Sequence, residues 1–365
     1  TLKSSSLDKS KVSISIQYNT TVEKESKLTT KILTDKSNNV SKQPIGIAIA
    51  GAGKFAQNTH LPNLKTLKSL VHITGILNTK GSKSLELAEM YNAKYATTSY
   101  QEILDDQETN AVLISTRHDM HNKMMLDAIN AGKSVFVEKP LAINNEELDK
   151  FKAISLNSLY KQKLQPIIFT GFNRRFSPLI QKLAGLLSAT SESLNISYQM
   201  NVGYLDPTHW LRNPEGSGRN IGEACHVYDL FTFLTNSRIS DISAVSINTK
   251  DKSHSKNENF NAIFKFENGS IANLTFTSMG SQKYPKEQMI VYQSESVYSL
   301  NDYKTLNVYN SKPYKITNPN ESKGHLEQLQ SFINSVINKT SPPMPYWHQI
   351  QATHMSLEVE RLINQ

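Results

Sequence analysis

The chain has 365 residues, 38% of them hydrophobic and 20% charged, a mixture that suits a globular protein of about two domains. No apolar run approaches the ~20 residues of a membrane-spanning helix, and the single cysteine, Cys225, excludes an internal disulfide bond. The net charge of +8 forms no basic stripe interleaved with aromatic residues. We therefore expect a cytoplasmic protein that binds neither nucleic acid nor membranes.

Residues 1–43 are rich in Ser, Thr and Lys, a composition typical of linkers. Within this segment Val12, Ile14, Ile16 and Tyr18 alternate with polar residues, which predicts one short strand. We interpret the segment as a leader that connects to something upstream.

Residues 44–170 alternate between strand-like and helix-like stretches. Such alternation predicts an α/β domain with a doubly wound parallel sheet. The predicted strands are 45–53, 72–78, 111–116, 134–140 and 166–172, and the predicted helices are 84–93 and 121–132.

Residues 171–365 differ, because strand-like runs follow one another with few helices between them. Asn268-Gly269 separates two of these runs and is a strong hairpin signal. This half is therefore predicted to be an α+β domain with a large, mostly antiparallel sheet. The predicted strands are 195–202, 242–249, 260–266, 270–277 and 288–293, and the predicted helices are 223–236, 325–338 and 350–363.

The loop after the first predicted strand reads GAGKFA, a G-x-G-x-x-A pattern formed by Gly51, Gly53 and Ala56. The first glycine permits a tight turn, the second admits a pyrophosphate close to the backbone, and the small third residue lets the helix pack on the strand. We include the intervening Lys54 and Phe55 among the expected cofactor contacts. A plain turn between strand and helix is the less favoured alternative.

The second predicted strand ends at Asn78, where dinucleotide-binding proteins usually carry an acid that holds the ribose hydroxyl. Lys80 and Lys83 follow instead, and they could face a 2′-phosphate. This pattern favours NADP over NAD, although exposed lysines are more often simply solvated.

The stretch VFVEKPLA, residues 135–142, begins as a buried strand and then presents Glu138, Lys139 and Pro140. In a doubly wound sheet these residues reach the edge where ligands bind. A cis bond before Pro140 would suit such a corner. An exposed Glu-Lys pair at the end of a strand explains this stretch of sequence equally well.

Read as a helix, residues 223–236 place Glu223, His226 and Asp229 three residues apart along one face. Histidine is a natural general base near neutral pH, and either acid could orient its ring. The alternative is a buried core histidine with structural hydrogen bonds.

Together with GFNRRFSP at 171–178, these motifs resemble the Gfo/Idh/MocA oxidoreductases, the glucose-fructose oxidoreductase and inositol dehydrogenase family, from residue 44 onwards. Residues 209–230 resemble a branch that is fused behind a zinc-type alcohol dehydrogenase domain. The resemblance implies a Rossmann domain that binds NAD or NADP, a carbohydrate-like substrate, and a homo-oligomer, dimer or tetramer, built on the open sheet face.

The resemblance also implies roles for single residues. Lys139 would contact the reacting oxygen and His226 would act as the base. Many family members carry an aspartate four residues before this histidine, where this chain has Gly222, so Glu223 transfers less directly than Asp229.

The resemblance also implies further contacts to the cofactor and the substrate, for which the residue types alone are weaker evidence. Thr116, His121 and Glu138 would lie near the cofactor. His118 and His121 lack a third ligand, so no metal is expected. A catalytically silent NAD(P)-binding sensor is the alternative to an enzyme. The expected substrate wall consists of Asn173, Arg174, Trp210, Arg212 and Arg219.

Overall fold

The computed structural model describes residues 32–33, 44–160, 166–188, 192–248 and 254–365. The strand predicted near residues 12–18 lies outside the described residues. The described chain forms two sheets of seven and eight strands, and the predicted fold class is confirmed.

The first sheet contains seven strands, with five helices along the same stretch of chain. The strands are β1 (Ile32–Leu33), β2 (Ile45–Ala50), β3 (Val71–Leu77), β4 (Tyr95–Thr97), β5 (Thr109–Ile114), β6 (Ser134–Val137) and β7 (Ile168–Thr170). The helices are α1 (Leu61–Thr66), which follows a π-helical turn (Ala56–His60), α2 (Gly81–Tyr91), α3 (Tyr100–Asp105), α4 (His118–Asn130) and α5 (Asn145–Tyr160).

The strand order is β1-β4-β3-β2-β5-β6-β7, and all pairs except β1 with β4 are parallel. The connections therefore reverse direction between β2 and β5. In open α/β sheets, ligands bind at the carboxyl ends of the strands at this switch point. Strand β4 and helices α3 and α5 were not predicted.

The second sheet contains eight strands in the order β15-β14-β13-β12-β8-β11-β10-β9, and only β8 with β11 is parallel among these pairs. The strands are β8 (Asn195–Asn201), β9 (Ile239–Ser246), β10 (Asn259–Phe266), β11 (Ile271–Thr277), β12 (Glu287–Gln293), β13 (Ser296–Asn301), β14 (Thr305–Tyr309) and β15 (Tyr314–Thr317). The helices are α6 (Pro178–Leu187), α7 (Cys225–Thr235), α8 (His325–Asn338) and α9 (Tyr346–Ile363).

The predicted hairpin at Asn268-Gly269 is confirmed, since it joins β10 to β11 and Gly269 has a φ of 83°. A π-helical turn at Asn220–Ala224 precedes α7, so the predicted helix there starts earlier and is wound more widely. Helix α6 and the last three strands were not predicted.

The two halves share buried contacts that fix the cleft between them. Phe332 of α8 packs against Phe136 and Phe169 of the parallel sheet, with ring centroids 5.7 and 6.0 Å away. Gln349 of α9 accepts hydrogen bonds from the backbone nitrogen and hydroxyl of Thr170 and donates to the carbonyl of Ile168. These bonds satisfy the edge of β7 and orient the second half against the first.

Candidate active site

A cavity of about 380 Å³ lies at the carboxyl edge of the parallel sheet, between the two halves. It is lined by residues of α4, α7, β12 and α8, and by residues of loops and turns that include the segment after β6. Ligand sites typically fall in the range of about 300–1,000 Å³, so this cavity suits a small molecule. The lining residues are Phe55, His118, Glu138, Lys139, Gly171, Asn173, Arg174, Trp210, Leu211, Gly222, Glu223, His226, Lys286, Glu287, Lys323 and His325.

The glycine-rich loop has the geometry that a dinucleotide needs. Gly51 has a φ of +93°, and a Cβ there would lie 2.6 Å from the carbonyl oxygen of Ser115, so only glycine fits. A Cβ on Gly53 would meet no atom within 4 Å, so its backbone is open to an approaching phosphate. Ala56 is completely buried beneath the helix that follows. The residues present therefore fit a bound pyrophosphate.

Asn78 ties this loop to the end of β3. Its amide donates to the carbonyl of Ala52 at 3.1 Å, and its side-chain oxygen accepts from the backbone nitrogen of Lys80 at 3.0 Å. The side chain of Lys80 is exposed, whereas Lys83 pairs with Glu86 at 2.8 Å. An amide thus stands where the usual ribose-binding acid would be.

Lys139 projects into the cavity from a corner with a cis peptide bond to Pro140, as expected. Its ammonium donates to the carbonyl oxygen of Gly222 at 2.6 Å, which links the cofactor half to the second half. His121 is buried below the corner and its Nδ1 donates to the carbonyl of Pro140 at 2.9 Å. His121 therefore supports the corner and does not line the cavity. Thr116 bonds to the backbone of Arg117.

Glu138 is held by a partner that was not predicted. Nε2 of the fully buried His60 lies 2.8 Å from its carboxylate. Burial alone would raise the pKa of Glu138, but the hydrogen bond and charge of His60, with the nearby Lys139, hold that pKa below its usual value. A Cβ on Gly171 would lie 2.9 Å from the same carboxylate, so Glu138 packs closely against the end of β7. The clue in the sequence is that His60 lies four residues after the buried Ala56, on the same helical face.

His226 lines the cavity, but Asp229 does not orient it. Asp229 is completely buried and accepts from Nε of Arg175 at 2.9 Å, so its carboxylate serves a structural ion pair. Nδ1 of His226 is buried and has no hydrogen-bond partner within the described ranges. Burial, followed by the charges of Arg174 and Lys139, holds the pKa of His226 well below its ordinary value, so the ring is neutral.

Glu223 reaches the cavity with its carboxylate already bound on two sides. It accepts from Nε of Arg219 at 2.9 Å and from the ammonium of Lys286 at 2.7 Å. Burial alone would raise the pKa of Glu223, but Lys286 and Arg219 hold it below the usual value. The group is therefore a carboxylate near neutral pH.

Two arginines expected to contact substrate have internal partners instead. Arg212 binds Glu258 through two hydrogen bonds of 2.8 and 2.7 Å and does not line the cavity. Nη1 and Nη2 of Arg219 donate hydrogen bonds to the carbonyls of Gly203 and Val202. Both fix the loop that crosses the cleft, so their assignment to the substrate wall is wrong.

The other three expected wall residues do line the cavity. Trp210 is covered by the guanidinium of Arg117 at 4.2 Å and packs edge-on against His118 at 4.9 Å. Asn173 donates to the carbonyl of Lys323 at 2.7 Å, and Arg174 pairs with Glu287.

Four ionisable cavity residues from the second half were missed by the sequence analysis: Lys286, Glu287, Lys323 and His325. Of these four, only Glu287 could have been recognised in the sequence, because it lies on the same face of β12 as the buried Met289 and Val291. A charge on a core face needs a buried partner, but that partner, Arg174, lies 113 residues away in the chain.

The described parts of the chain contain no group of three or more His, Cys, Asp or Glu residues arranged to hold a metal ion. Among the helices of the described ranges, none is both long enough and apolar enough to cross a membrane.

Comparison with known proteins places this geometry in a family. Residues 45–156 match the family model described as "Oxidoreductase family, NAD-binding Rossmann fold", and residues 192–298 match the C-terminal domain model of the same family. The two matched regions together cover more than half of the chain.

Individual relatives are more distant. The chain is 30% identical over 197 residues to 4-carboxy-2-hydroxymuconate-6-semialdehyde dehydrogenase of Sphingobium, covering 51% of this chain and 58% of that one. It is 28% identical over 137 residues to myo-inositol 2-dehydrogenase of Thermotoga maritima, covering 38% and 39%. The matched region thus spans less than two thirds of either relative.

The fold is shared more widely than the sequence. UDP-N-acetylglucosamine 3-dehydrogenase of Acidithiobacillus ferrooxidans superposes with a TM-score of 0.73 at 18% identity, covering 88% of this chain and 98% of that one. With both domain models matched and the fold shared, the chain belongs to the Gfo/Idh/MocA oxidoreductase family.

Proposed function

We propose that the protein is an NAD(P)-dependent oxidoreductase that moves a hydride between nicotinamide and a secondary alcohol, or its ketone, on a sugar-like or polyol substrate. The observation that carries this proposal is that Lys139 of the cofactor half and His226 of the second half line one cavity at the switch-point edge of the sheet. The dehydrogenase names of the relatives support the same class of reaction.

A bound nicotinamide supplies the hydride acceptor for oxidation and the hydride donor for reduction. Lys139 uses one donor on Gly222 and has two more for the substrate oxygen, where it stabilises developing alkoxide charge. His226 takes the hydroxyl proton during oxidation and returns it during reduction. Because burial and the neighbouring cations keep its ring neutral, His226 starts in the form that accepts a proton.

We infer that the preferred cofactor is NADP. Asn78 carries no charge that would repel a 2′-phosphate, and the exposed Lys80 lies two residues later. We also propose a homo-oligomer built on the open face of the second sheet, and an upstream zinc-type alcohol dehydrogenase domain, from the resemblance of residues 209–230. Light scattering tests the first of these, and the mass of the protein from its native source tests the second.

The mechanism is tested by Lys139→Met and His226→Gln, with Lys123→Met as the control because Lys123 is exposed and pairs only with Asp127 on α4. Removing an electrostatic donor should lower turnover about 10²–10³-fold, and removing a general base about 10²–10⁴-fold. Binding of NADPH, followed by its fluorescence, should change little in all three variants. A Lys139→Met protein with normal turnover would refute the mechanism. Tight NADPH binding without turnover by the unaltered protein, across a broad panel of sugars and polyols, would favour the sensor instead.

A further inference from the structure

The cavity carries an excess of positive charge. Burial, with nearby cations, lowers the pKa of His118 to about 3 and that of His325 to about 4, so both rings are neutral at pH 7. His226 is neutral as well, and the remaining ionisable lining consists of four cationic side chains and three carboxylates, an excess of one positive charge. These groups are Lys139, Arg174, Lys286, Lys323, Glu138, Glu223 and Glu287.

Two of these cations, Arg174 and Lys323, bind the buried carboxylate of Glu287, and Lys323 also lies 3.5 Å from the carboxylate of Asp302, which is not part of the cavity lining. Glu287 is completely buried and accepts from Nε and Nη2 of Arg174 at 2.6 and 3.0 Å, from the hydroxyl of Tyr198 at 2.7 Å and from Lys323 at 2.9 Å. Among the described residues nothing accepts from Nη1 of Arg174. Arg174 therefore keeps one donor nitrogen, and Lys323 keeps one of its three donors, that these two carboxylates do not use.

We propose that the substrate is a sugar acid or polyol acid whose carboxylate binds to Arg174 and Lys323, an inference that rests on the proposed function. An incoming carboxylate would neutralise the single surplus charge. A phosphate, at about −1.5 to −2, would overshoot it. A neutral sugar would leave the surplus charge of the lining uncompensated, and the unused donors of Arg174 and Lys323 would meet only neutral acceptors.

Two pairs of side chains would contact different ends of the substrate. Lys139 and His226 act at the reacting carbon, whereas Arg174 and Lys323 hold the far end of the same molecule. The volume of about 380 Å³ lies at the low end of ligand cavities, which suits a substrate of hexose size.

The test compares D-gluconate and D-glucuronate with D-glucitol and D-glucose, with D-glucose 6-phosphate as the phosphate probe. Binding is measured by isothermal titration to the full chain in saturating NADP⁺, and initial rates are measured on the same set. Because charge-assisted hydrogen bonds contribute strongly, the acids should bind roughly 10–100-fold more tightly than the neutral compounds.

Lys323→Met should remove most of this preference, measured within each protein as the ratio of acid affinity to neutral-compound affinity. The variant should still fold, because Glu287 keeps the fork of Arg174 and the hydroxyl of Tyr198; circular dichroism checks this. Lys265→Met is the matched control, because Lys265 is exposed on β10 with only Asp241 nearby, and it should keep the full preference. Arg174→Lys, which keeps the charge without the fork, should weaken acid binding by about 10-fold.

The outcomes separate this inference from the proposed function. Turnover of neutral compounds with no tighter binding of the acids would overturn the inference and leave the oxidoreductase intact. A preference for the phosphate over both acids would also overturn it. Tight acid binding that Lys323→Met abolishes would support the carboxylate site even if no substrate were turned over, a result that would refute the hydride-transfer proposal alone.

Discussion

Replacing Gly222 by alanine should destabilise the protein only because His118 occupies the adjacent space. A Cβ at this position would lie 2.8 Å from Cε1 of His118, closer than real contacts allow. The ring cannot turn away freely, because its Nδ1 donates to the carbonyl of Gly216 at 2.9 Å and its face packs against Trp210. Overpacking of this kind typically costs about 1–3 kcal/mol of unfolding free energy.

The same substitution should have the opposite sign once the ring is removed. Gly222 lies within a helical turn that any L-residue can adopt, and its next contact, Cδ2 of Leu211, is an ordinary 3.5 Å away. In a His118→Ala background, Gly222→Ala should therefore stabilise by about 0.4–1 kcal/mol, because alanine restricts the unfolded chain. The coupling between the two positions would then be about 1.5–4 kcal/mol, well above the error of a double-mutant cycle.

Urea unfolding of the four proteins measures this coupling, provided that the m-value stays constant across the set. NADPH binding, followed by fluorescence, reports separately whether the cavity that both positions line is preserved. If Gly222→Ala costs the same free energy with and without the His118 ring, the steric explanation fails.

Three further predictions concern other parts of the chain. Burial and Arg175 lower the pKa of His348 to about 3. As the pH falls below ~6.5, this histidine takes up a proton in the unfolded chain but not in the folded one, so the protein loses stability. Urea unfolding of His348→Gln should show up to about 2 kcal/mol less loss between pH 7 and 5 than the unaltered chain. Gln349→Leu should cost roughly 3–6 kcal/mol of unfolding free energy, because it leaves the buried backbone groups that Gln349 binds without partners. Gln328→Leu should be neutral or stabilising, since the buried amide of Gln328 has no partner within the described ranges. Equal costs for the two substitutions would contradict this reasoning. Lys80→Asp should lower the kcat/KM ratio for NADPH over NADH by 10-fold or more, and an unchanged ratio would exclude Lys80 from the cofactor site.

Much of the parallel sheet could be predicted because its strands are short apolar runs bounded by turn residues. The last three strands were missed, although buried residues alternate along the first two of them, β13 and β14. Their turns give no glycine signal: Ser294 and Glu295 both adopt positive φ values, and so do Asp302 and Tyr303. Hairpins are recognised in sequence mainly by Asn-Gly or Asp-Gly pairs, so these were invisible.

The candidate site was only half predictable for a related reason. Residues that end a strand or begin a helix in the cofactor half, such as Lys139, have their direction fixed by a local motif. The fate of Arg212 depends on Glu258, 46 residues later in the chain, and that of Asp229 depends on Arg175, 54 residues earlier. A charged side chain in a sequence is equally able to meet a ligand or an internal partner, and only the tertiary fold decides which.

The contacts of the active-site acid depend on whether it stands at position 222 or at Glu223. Successive residues on a helical turn point about 100° apart, so a carboxylate moved from position 222 to 223 faces a different neighbour. Glu223 accordingly meets Arg219 and Lys286, while the ammonium of Lys139 meets the backbone carbonyl of Gly222. A carbonyl carries no charge, so it binds the ammonium of Lys139 without offsetting its positive charge, as a carboxylate partner would. On this reasoning the missing aspartate is replaced by main chain, which leaves the cavity more positive than a carboxylate at position 222 would.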